Sequence, residues 1–413
     1  MATNTGFLRN AIVLGLLSAV GPFAIDMYLP ALPSITADMH ASPAAVQGTL
    51  LAFFVAVALC QIIYGPVSDS FGRKGPLYFG ASLYILGSIA CALAPNIGWL
   101  IAARFIQGIG ACAGMTIPRA IVRDLHTGHD AARLLSLIML VFSVSPILAP
   151  VTGSLAVEFG TWRDVFWMIA VLGVASLAVA YFWLVETRPP RERIPFDAPA
   201  VIRNYLALLG DRHYIGLVLI GGFGFASFLA YIAGASFIYI NHFGLTPGQF
   251  SLVFSVNAMA FIGMTQLTGR LARRYGLQRT ANTALAFFLA AMLTLLFLTL
   301  LGADNVFVLV ACLFFGFGAM GLVIPTTAVL ALEKYGATAG TASALMGTMQ
   351  IVLGAIVIGI VGAFTTGQVL PMAAGMSACA LAAFVLGRFT LGRSPQPVHA
   401  MPAERLVTEA EPD

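Results

Sequence analysis

The chain has 413 residues, of which 59% are hydrophobic and only 9% are charged, and its mean hydropathy is +0.92. Soluble domains carry roughly 25% charged residues, so this composition excludes a water-soluble globular protein and indicates a chain that folds in lipid. The net charge of +4 comes from basic residues grouped between apolar segments, which is typical of membrane topology rather than of nucleic-acid binding.

Roughly twelve apolar segments approach the length of about 20 residues that a membrane-spanning helix needs. We predict spans at 7–29, 45–64, 76–94, 98–121, 131–157, 164–185, 214–241, 249–270, 280–301, 305–330, 339–363 and 369–389. If the loop after the second span is cytoplasmic, all but two of the 21 Lys and Arg residues lie on the cytoplasmic side. The exceptions are Arg104, within a span, and Arg163, in an outer loop. Both termini are therefore predicted to be cytoplasmic.

The first span contains a lone acid, Asp26, in the segment Pro22-Phe-Ala-Ile-Asp-Met-Tyr-Leu-Pro30. A buried, unpaired carboxylate is costly unless it takes up a proton. Asp26 is therefore predicted to carry a proton across the membrane. The alternative is an Asp that caps the outer end of the helix and is wetted by the outer surface.

The second and third spans are joined by a charged segment, Gly65-Pro-Val-Ser-Asp-Ser-Phe-Gly-Arg-Lys-Gly-Pro-Leu77, which we predict to be a loop. Its pattern resembles the loop signature of the major facilitator superfamily, G-x-x-x-D-x-x-G-R-K, and the resemblance implies a cytoplasmic latch that favours the outward-open state. We expect Asp69 to accept hydrogen bonds from a helix N-terminus. Arg73 and Lys74 are expected to bind acids or helix ends of the neighbouring half. The predicted gating residues are Gly65, Asp69, Gly72, Arg73, Lys74 and, at the inner end of the fourth span, Arg123. The alternative is a tight turn with charges that only set topology.

The fourth span carries Arg104, at a depth that we predict to match that of Asp26, so the two are expected to form an ion pair. The segment Arg104-Phe-Ile-Gln-Gly-Ile-Gly110 resembles the superfamily's fourth-helix motif, R-x-x-Q-G-x-G. Gln107 and Met115 share one helical face with Arg104. The alternative is a structural clamp that fixes helix packing without taking part in coupling.

The fifth span contains Pro146, Pro150 and Gly153 on one face, and each proline removes a backbone hydrogen bond and favours a kink. The segment resembles the antiporter motif G-x-x-x-G-P-x-x-G-G, although Phe142 and Ala149 stand where that motif has glycine. The alternative is an ordinary kinked helix.

The longest polar stretch, 186–212, divides the spans six and six, and 196–209 within it is a candidate interfacial helix. We predict an N-terminal half at 1–190, a linker at 191–212, a C-terminal half at 213–390 and a disordered tail at 391–413. The halves repeat: Gly269–Gly276 echoes the Gly65–Gly72 spacing, and Thr246-Pro247 echoes Ser42-Pro43, each at an offset of 204 residues. The echo has Arg273 where Asp69 stands.

A substrate cavity is expected where polar and aromatic residues of the two halves meet. Its predicted lining comprises Asp26, Arg104, Gln107, Met115, Tyr231, Asn257 and Gln350. The alternative for each of these residues is packing or hydrogen bonding between helices.

Several further segments narrow the resemblance: Ala24-Ile-Asp-Met-Tyr-Leu-Pro-Ala-Leu-Pro33, Tyr64–Asp69, Pro118–Asp124, Trp162–Phe166 and Glu186-Thr-Arg188. Together they are similar to the Bcr/CflA branch of drug/proton antiporters. The resemblance implies an all-α major facilitator fold of twelve helices, in two six-helix halves related by a pseudo-two-fold axis. It also implies a monomeric pump of the bacterial inner membrane.

The function that the resemblance implies is the exchange of an outgoing small-molecule drug for an incoming proton. Its partners would be the drug, protons and the lipid bilayer, without nucleic acid. The sequence has no P-loop, metal-ligand spacing or nucleophile–base pair. We therefore expect no enzyme activity, no metal and no cofactor, with transport driven by the proton gradient. The alternatives are a proton-coupled metabolite importer on the same fold and a membrane sensor that transports nothing.

Overall fold

The computed structural model describes residues 4–126, 128–193, 198–364 and 367–392, and helices without strands make up the described part. The helices are α1 (Asn4–Asp26), α2 (Leu32–Asp38), α3 (Pro43–Phe71), α4 (Lys74–Ala92), α5 (Ile97–Leu125), α6 (Gly128–Phe159), α7 (Trp162–Trp183), α8 (Ala198–Gly210), α9 (Arg212–Ser236), α10 (Pro247–Tyr275), α11 (Leu277–Leu300), α12 (Val306–Leu332), α13 (Ala339–Ala363) and α14 (Val369–Thr390).

Twelve helical segments among the described residues are long and apolar enough to cross a membrane, which confirms the predicted all-α, twelve-span class. Successive spans run in opposite directions, so one end of the bundle carries Arg73, Arg123 and Arg279. We call this end the basic face and the other end the opposite face. The basic face is the one that the sequence predicts to be cytoplasmic, and that orientation stays a prediction.

The first span is longer than predicted, because helical turns continue beyond the predicted end at residue 29. After α1, a short turn at Leu29–Ala31 leads directly into α2, which ends at Asp38. Leu29, Pro30 and Leu32 are fully buried. Proline fits the first turn of a helix, so Pro30 and Pro33 begin new helical turns here instead of ending the span. Asp26 consequently lies deeper in the bundle than its predicted position.

The predicted loop Gly65–Leu77 is also mostly helical, which corrects the sequence interpretation. The helix α3 continues through Pro66 to Phe71, and α4 begins at Lys74. A proline inside a helix frees the carbonyl one turn earlier, and the hydroxyl of Tyr205 donates to that carbonyl, Ile62 O, at 3.5 Å. Only Gly72 and Arg73 form the connection.

The predicted internal repeat is visible in the helix ends. Both α3 and α10 contain 29 residues and lie 204 positions apart, from Pro43 to Pro247. Ser42 and Thr246 cap their N-termini by accepting a hydrogen bond from the third residue beyond. Gly72 and Gly276 end them with φ values of +88° and +85°. A positive φ is open to glycine but strained for other residues, so both turns need glycine.

Three hydrogen bonds join the two groups of spans near the opposite face. There the Ser236 hydroxyl donates to Leu29 O, the Gln47 amide donates to Ala233 O at 3.0 Å, and the Ser251 hydroxyl donates to Pro150 O at 2.8 Å. Each of these bonds joins a helix before the linker to a helix after it. The opposite face is therefore closed in this structure.

The linker contains a helix, α8, over Ala198–Gly210, which lies within the predicted interfacial helix 196–209 and one residue beyond its end. Ile202, Leu206 and Leu209 of α8 are exposed apolar residues, whereas Leu208 is buried. The predicted division at 1–190, 191–212, 213–390 and 391–413 stays a prediction. Nearly all of the predicted tail, and residues 196–197 of the predicted helix, lie outside the described residues.

Candidate functional site

Asp26 is the last residue of α1, and its side chain is buried at 5% exposure. The Ser145 hydroxyl on α6 lies close to the Asp26 carboxylate, and Ser145 Oγ has no hydrogen-bond partner among the described residues. This burial does not fit the alternative of a surface-wetted helix cap. Asp26 is instead a carboxylate enclosed between α1 and α6 inside the membrane-spanning part of the bundle.

Arg104 is fully buried on α5 and is surrounded by neutral groups. Its Nη1 donates to Ala24 O at 3.1 Å and to the Gln107 side-chain oxygen. The guanidinium lies 4.7 Å from the ring centre of Tyr28 and 4.4 Å from that of Phe53. Such aromatic faces stabilise a cation electrostatically, so two rings and two oxygens stand where an acid was expected.

The structure does not bring Asp26 and Arg104 into the predicted ion pair: no such pair occurs among the described residues. Arg104 reaches the carbonyl of Ala24, whereas Asp26 faces α6. Two residues along an α-helix correspond to a rotation of about 200°. The depths match as predicted, but the two groups lie on different sides of α1, which a depth argument does not reveal.

The fifth-span residues place α6 between Asp26 and the second half. A Cβ atom on Gly153 would overlap the carbonyl oxygen of Met27, so glycine allows α6 to touch the chain directly after Asp26. On the same helix, Pro150 O accepts the hydrogen bond from Ser251 of α10 at 2.8 Å. Helix α6 runs from Gly128 to Phe159 with Pro146 and Pro150 inside it. A movement of α6 would thus act on Asp26 and on the closure between the halves together.

The remaining predicted cavity residues form separate groups. Gln107 bridges Arg104 to the Ser88 hydroxyl at 2.8 Å and is fully buried within the first half. Met115 packs against Gly21 of α1, and Gln350 lies beside Gly221 of α9. The structure therefore places these three residues at helix contacts, and their role as cavity lining stays a prediction.

Tyr231 and Asn257 come together in the second half, as a buried polar pair among aromatic rings. The Asn257 amide donates to the Tyr231 hydroxyl at 3.4 Å, and both residues are 1% exposed. The Tyr231 ring stacks on Phe254 at 5.6 Å and meets Phe317 edge-on at 4.9 Å. This group could present one aromatic and one polar surface to a ligand once the halves separate.

Arg73, one of the predicted gating residues, is 3% exposed at the basic face and is surrounded by charged side chains. Arg73 Nε donates to Asp124 Oδ2 at 2.7 Å and its Nη2 donates to Asp124 Oδ1 at 3.1 Å. Its Nη1 lies 2.8 Å from Asp69, and Asp69 also accepts from Arg188 at 2.6 Å. Paired, bidentate contacts of this kind are the strong form of a salt bridge. All of these partners precede α8, so in this structure Arg73 binds acids of its own half and not of the neighbouring half.

Glu186, rather than Asp69, caps the helix N-terminus at this turn. The backbone N–H groups of Arg73 and Lys74 donate to its carboxylate at 2.9 and 3.0 Å, and that of Arg188 donates at 3.0 Å. Burial alone would raise the pKa of Glu186, but these backbone bonds and the charge of Arg193 lower it overall. Glu186 is thus a charged cap that joins the segment after α7 to the α3–α4 turn.

The other gating residues have more limited roles. A Cβ atom on Gly65 would meet open space, so no neighbouring helix packs closely against this glycine. Arg123 lies beside the start of α13, where its Nη1 would be 3.0 Å from a Cβ on Gly340. Among the predicted gating residues, Arg123 is therefore the one seen against the second half.

A sequence profile decides the family, because the Major Facilitator Superfamily profile matches residues 14–359, which is most of the chain. The chain belongs to the Major Facilitator Superfamily. It is therefore a multi-pass membrane transporter of small molecules rather than an enzyme.

Three bacterial relatives of this superfamily member align over most of their length. An uncharacterized MFS-type transporter, YdgK of Bacillus subtilis, is 38% identical over 89% of this chain and 92% of its own. A bicyclomycin resistance protein homolog of Haemophilus influenzae is 30% identical over 93% and 96%. The multidrug resistance protein MdtL of Escherichia coli is 29% identical over 80% and 82%.

Solved structures agree on the fold of this superfamily member. The nucleoside transporter NupG matches with a TM-score of 0.74 at 14% identity, over 94% of this chain and 99% of its own. A D-xylose–proton symporter matches with a TM-score of 0.71 at 17% identity over the same shares. Identities this low show the fold alone. The superfamily profile confirms the predicted superfamily, and the bicyclomycin- and multidrug-resistance relatives are consistent with its predicted drug/proton antiporter branch.

Sequence reasoning missed three residues that complete this transporter's basic-face network: Asp124, Glu186 and Arg188. All three lie in segments that carried the family resemblance. The sequence does not indicate their contacts, because spacing alone gives no sign that residues more than 50 positions apart share one turn. Ser145 was missed for a simpler reason, since a serine next to a proline in an apolar span carries no distinctive signal.

Proposed function

We propose that this transporter exports drugs or other small amphipathic compounds across the bacterial inner membrane, in exchange for protons moving inward. The observation that carries the proposal is Asp26, a carboxylate at 5% exposure that has no cationic partner among the described residues. An acid within a membrane span that lacks a counter-charge is typical of a proton-binding site. The names of the bicyclomycin- and multidrug-resistance relatives support export of a drug.

In this mechanism Asp26 binds its proton when the opposite face opens. Opening requires the bonds from Ser236, Gln47 and Ser251 across the halves to break, and the first of these ends at Leu29, three residues beyond Asp26. Water then reaches Asp26, the carboxylate takes up a proton, and its charge no longer opposes a return to the closed state. The proton is released after the basic face opens, where the drug enters from the cytoplasm.

Arg104 acts in this proposal by positioning α1 rather than by pairing with Asp26. Its bond to Ala24 O and its two aromatic neighbours hold the end of α1 at a fixed place on α5. The basic-face network around Arg73 holds α3, α4, α5 and the linker as one unit that rocks against the second half. The proton gradient drives the cycle, with no cofactor, in a single chain.

The test is Asp26→Asn in proteoliposomes, with drug-driven proton movement as the measurement. We expect proton flux to fall to the level of protein-free vesicles, because an amide of the same shape cannot take up the proton. The matched control is Asp38→Asn, an acid near the same face that is half-exposed and paired with Arg163. Drug-driven proton flux that persists in Asp26→Asn would refute the role of Asp26. Drug accumulation by cells, instead of exclusion, would show an importer on the same fold.

A further inference from the structure

A large groove lies between α10 and α11, with α12 as its floor. Its volume is about 1150 Å³, somewhat larger than the roughly 300–1,000 Å³ of pockets for drug-sized ligands. A Cβ atom on Gly263, which lines the groove, would meet open space. Phe287 and Phe315 of the lining are 68% and 69% exposed. In a membrane-spanning bundle such exposure is exposure to lipid, so the groove opens sideways into the bilayer.

The length of the groove suits a lipid chain. It follows α11 from Arg279, at the basic face, to Thr294, which corresponds to about 22 Å at the helical rise. One leaflet is about half of the roughly 30 Å hydrocarbon core. An acyl chain that starts at the basic face and spans one leaflet, about 15 Å, therefore fits within the length of the groove.

The mouth of the groove at the basic face is positively charged. Arg279 lines it, and Arg270, Arg273 and Arg274 lie at the adjoining end of α10. The sequence has no Asp or Glu between Asp211 and Asp304, and none of these four arginines forms an ion pair among the described residues. The charge is therefore available to an external anion.

The start of α11 adds backbone donors at the same place. Gly276 occupies the position before the helix and has no side chain with which to cap it. The first N–H groups of a helix lack partners within the helix and attract anions, most strongly phosphate. A phosphate beside Arg279 would meet the guanidinium and the N-terminus of α11 together.

We propose that this groove binds an anionic phospholipid, with its phosphate at Arg279 and an acyl chain against Gly263, Phe287 and Phe315. The apolar wall, the charged mouth and the sideways opening each fit a different part of that one molecule. The proposal rests on the membrane fold and not on drug export, so it stands or falls separately from the proposed function. A lipid bound in this groove would stabilise the packing of α10 beside α11.

The experiment measures lipid retained by the purified full chain by native mass spectrometry, after exchange into detergent that contains either phosphatidylglycerol or phosphatidylcholine. We expect the wild type to retain phosphatidylglycerol in preference. Arg279→Gln, which removes the phosphate ligand, should lower that retention about tenfold, as loss of a charge-assisted hydrogen bond does. Gly263→Leu, which fills the groove at a position where a helix tolerates leucine, should lower retention of both lipids.

Two control variants make the same chemical changes elsewhere. Arg388→Gln removes an exposed cation at the basic-face end of α14, and Gly269→Leu adds the same side chain to α10 where the space is open outside the groove. Both should retain lipid as the wild type does. Equal retention of the two lipids by the wild type would overturn the proposal. So would phosphatidylglycerol retention that is unchanged in both test variants, or lowered to the same extent in the controls.

Discussion

The α3–α4 and α10–α11 turns occupy equivalent places in the two halves and have nearly the same backbone, yet their surroundings are opposite. Gly72 and Gly276 have φ values within a few degrees of each other, at +88° and +85°. The first turn is packed with acids and arginines, and Arg73 is 3% exposed there. At the second turn Leu277 stands in place of Arg73 and Arg273 in place of Asp69, and Arg273 is exposed.

The comparison distinguishes a feature that both halves keep for folding, the glycine, from one that differs between them, the charges around the turn. The glycine is needed in both turns because one helix must reverse directly into the next. Ion pairs between acids and arginines are not needed for that reversal, since the segment around the second turn contains arginines but no acid. The first turn is bound to α5 through Asp124 and to the segment after α7 through Glu186. The second presents arginines that form no ion pair among the described residues.

The largest expected difference between the turns comes from removing one arginine from each. Arg73→Ala leaves Asp124 without its cation and removes one of the two cations that bind Asp69, which keeps Arg188. Removing one partner of a buried pair costs about 3–5 kcal/mol, and we expect about 3 kcal/mol because Asp69 is 38% exposed. Arg273→Ala should change stability by less than about 0.5 kcal/mol, as exposed substitutions do. Thermal unfolding in detergent, followed by scanning fluorimetry, measures both.

A second substitution separates charge from geometry at the first turn. Arg73→Lys keeps the cation but loses the bidentate contact with Asp124, so its melting temperature should fall between those of the wild type and Arg73→Ala. Equal melting temperatures for Arg73→Ala and Arg273→Ala would mean that the basic-face network adds nothing to stability. The two turns would then differ in the charges around them but not in how much those charges add to stability.

A smaller difference is expected from placing alanine at the two glycines. Both have a positive φ with ψ of +170° or +150°, a region that costs other residues about 1–3 kcal/mol. At Gly72 the new Cβ would also lie 2.9 Å from Glu186 Oε2 and from Arg193 Nη2, whereas at Gly276 it would meet nothing. Gly72→Ala should therefore lower the melting temperature further than Gly276→Ala does. The reverse order would show that Glu186 and Arg193 move aside without cost.

Much of the fold could be predicted from the sequence because lipid imposes one simple rule, a long apolar helix for each crossing. Helix ends were harder to predict, since Gly65-Pro66 and Pro30 look like breaks. In the structure the Tyr205 hydroxyl satisfies the carbonyl that Pro66 frees, and Pro30 starts a buried turn. Such compensation depends on residues distant in sequence, which hydropathy does not reveal.

The candidate site was predictable in its residues but not in its pairings. A lone acid and a lone arginine in apolar spans marked Asp26 and Arg104 as unusual. Their separation depends on rotation about α1, which places Ala24 toward Arg104 and Asp26 toward Ser145. The guanidinium of Arg104 lies against the rings of Tyr28 and Phe53, and aromatic residues are too common in this chain to identify as partners from sequence.

The smallest expected effect is a pH dependence at the first turn. The pKa of Glu186 is lowered in the folded protein, because backbone donors and Arg193 outweigh the effect of burial. A carboxylate with a lowered folded-state pKa stabilises the fold at pH values above its unfolded-state pKa, about 4.3. That stabilisation is lost as the pH falls through the folded-state value. The wild type should therefore melt at a higher temperature than Glu186→Gln at pH 7, and the difference should shrink below about pH 4.

The comparison of the wild type with Glu186→Gln separates the first turn from a second capping acid, Asp211. Asp211 caps α9 in the second half, and there too burial would raise the pKa but bonds from Tyr335 and backbone N–H groups lower it overall. It is present in both proteins, so its acid-dependent contribution cancels when the wild type is compared with Glu186→Gln. A difference in melting temperature that stays constant from pH 7 to about pH 3.5 would mean that Glu186 acts by shape and not by charge. The first turn would then resemble the second in being held by backbone geometry alone.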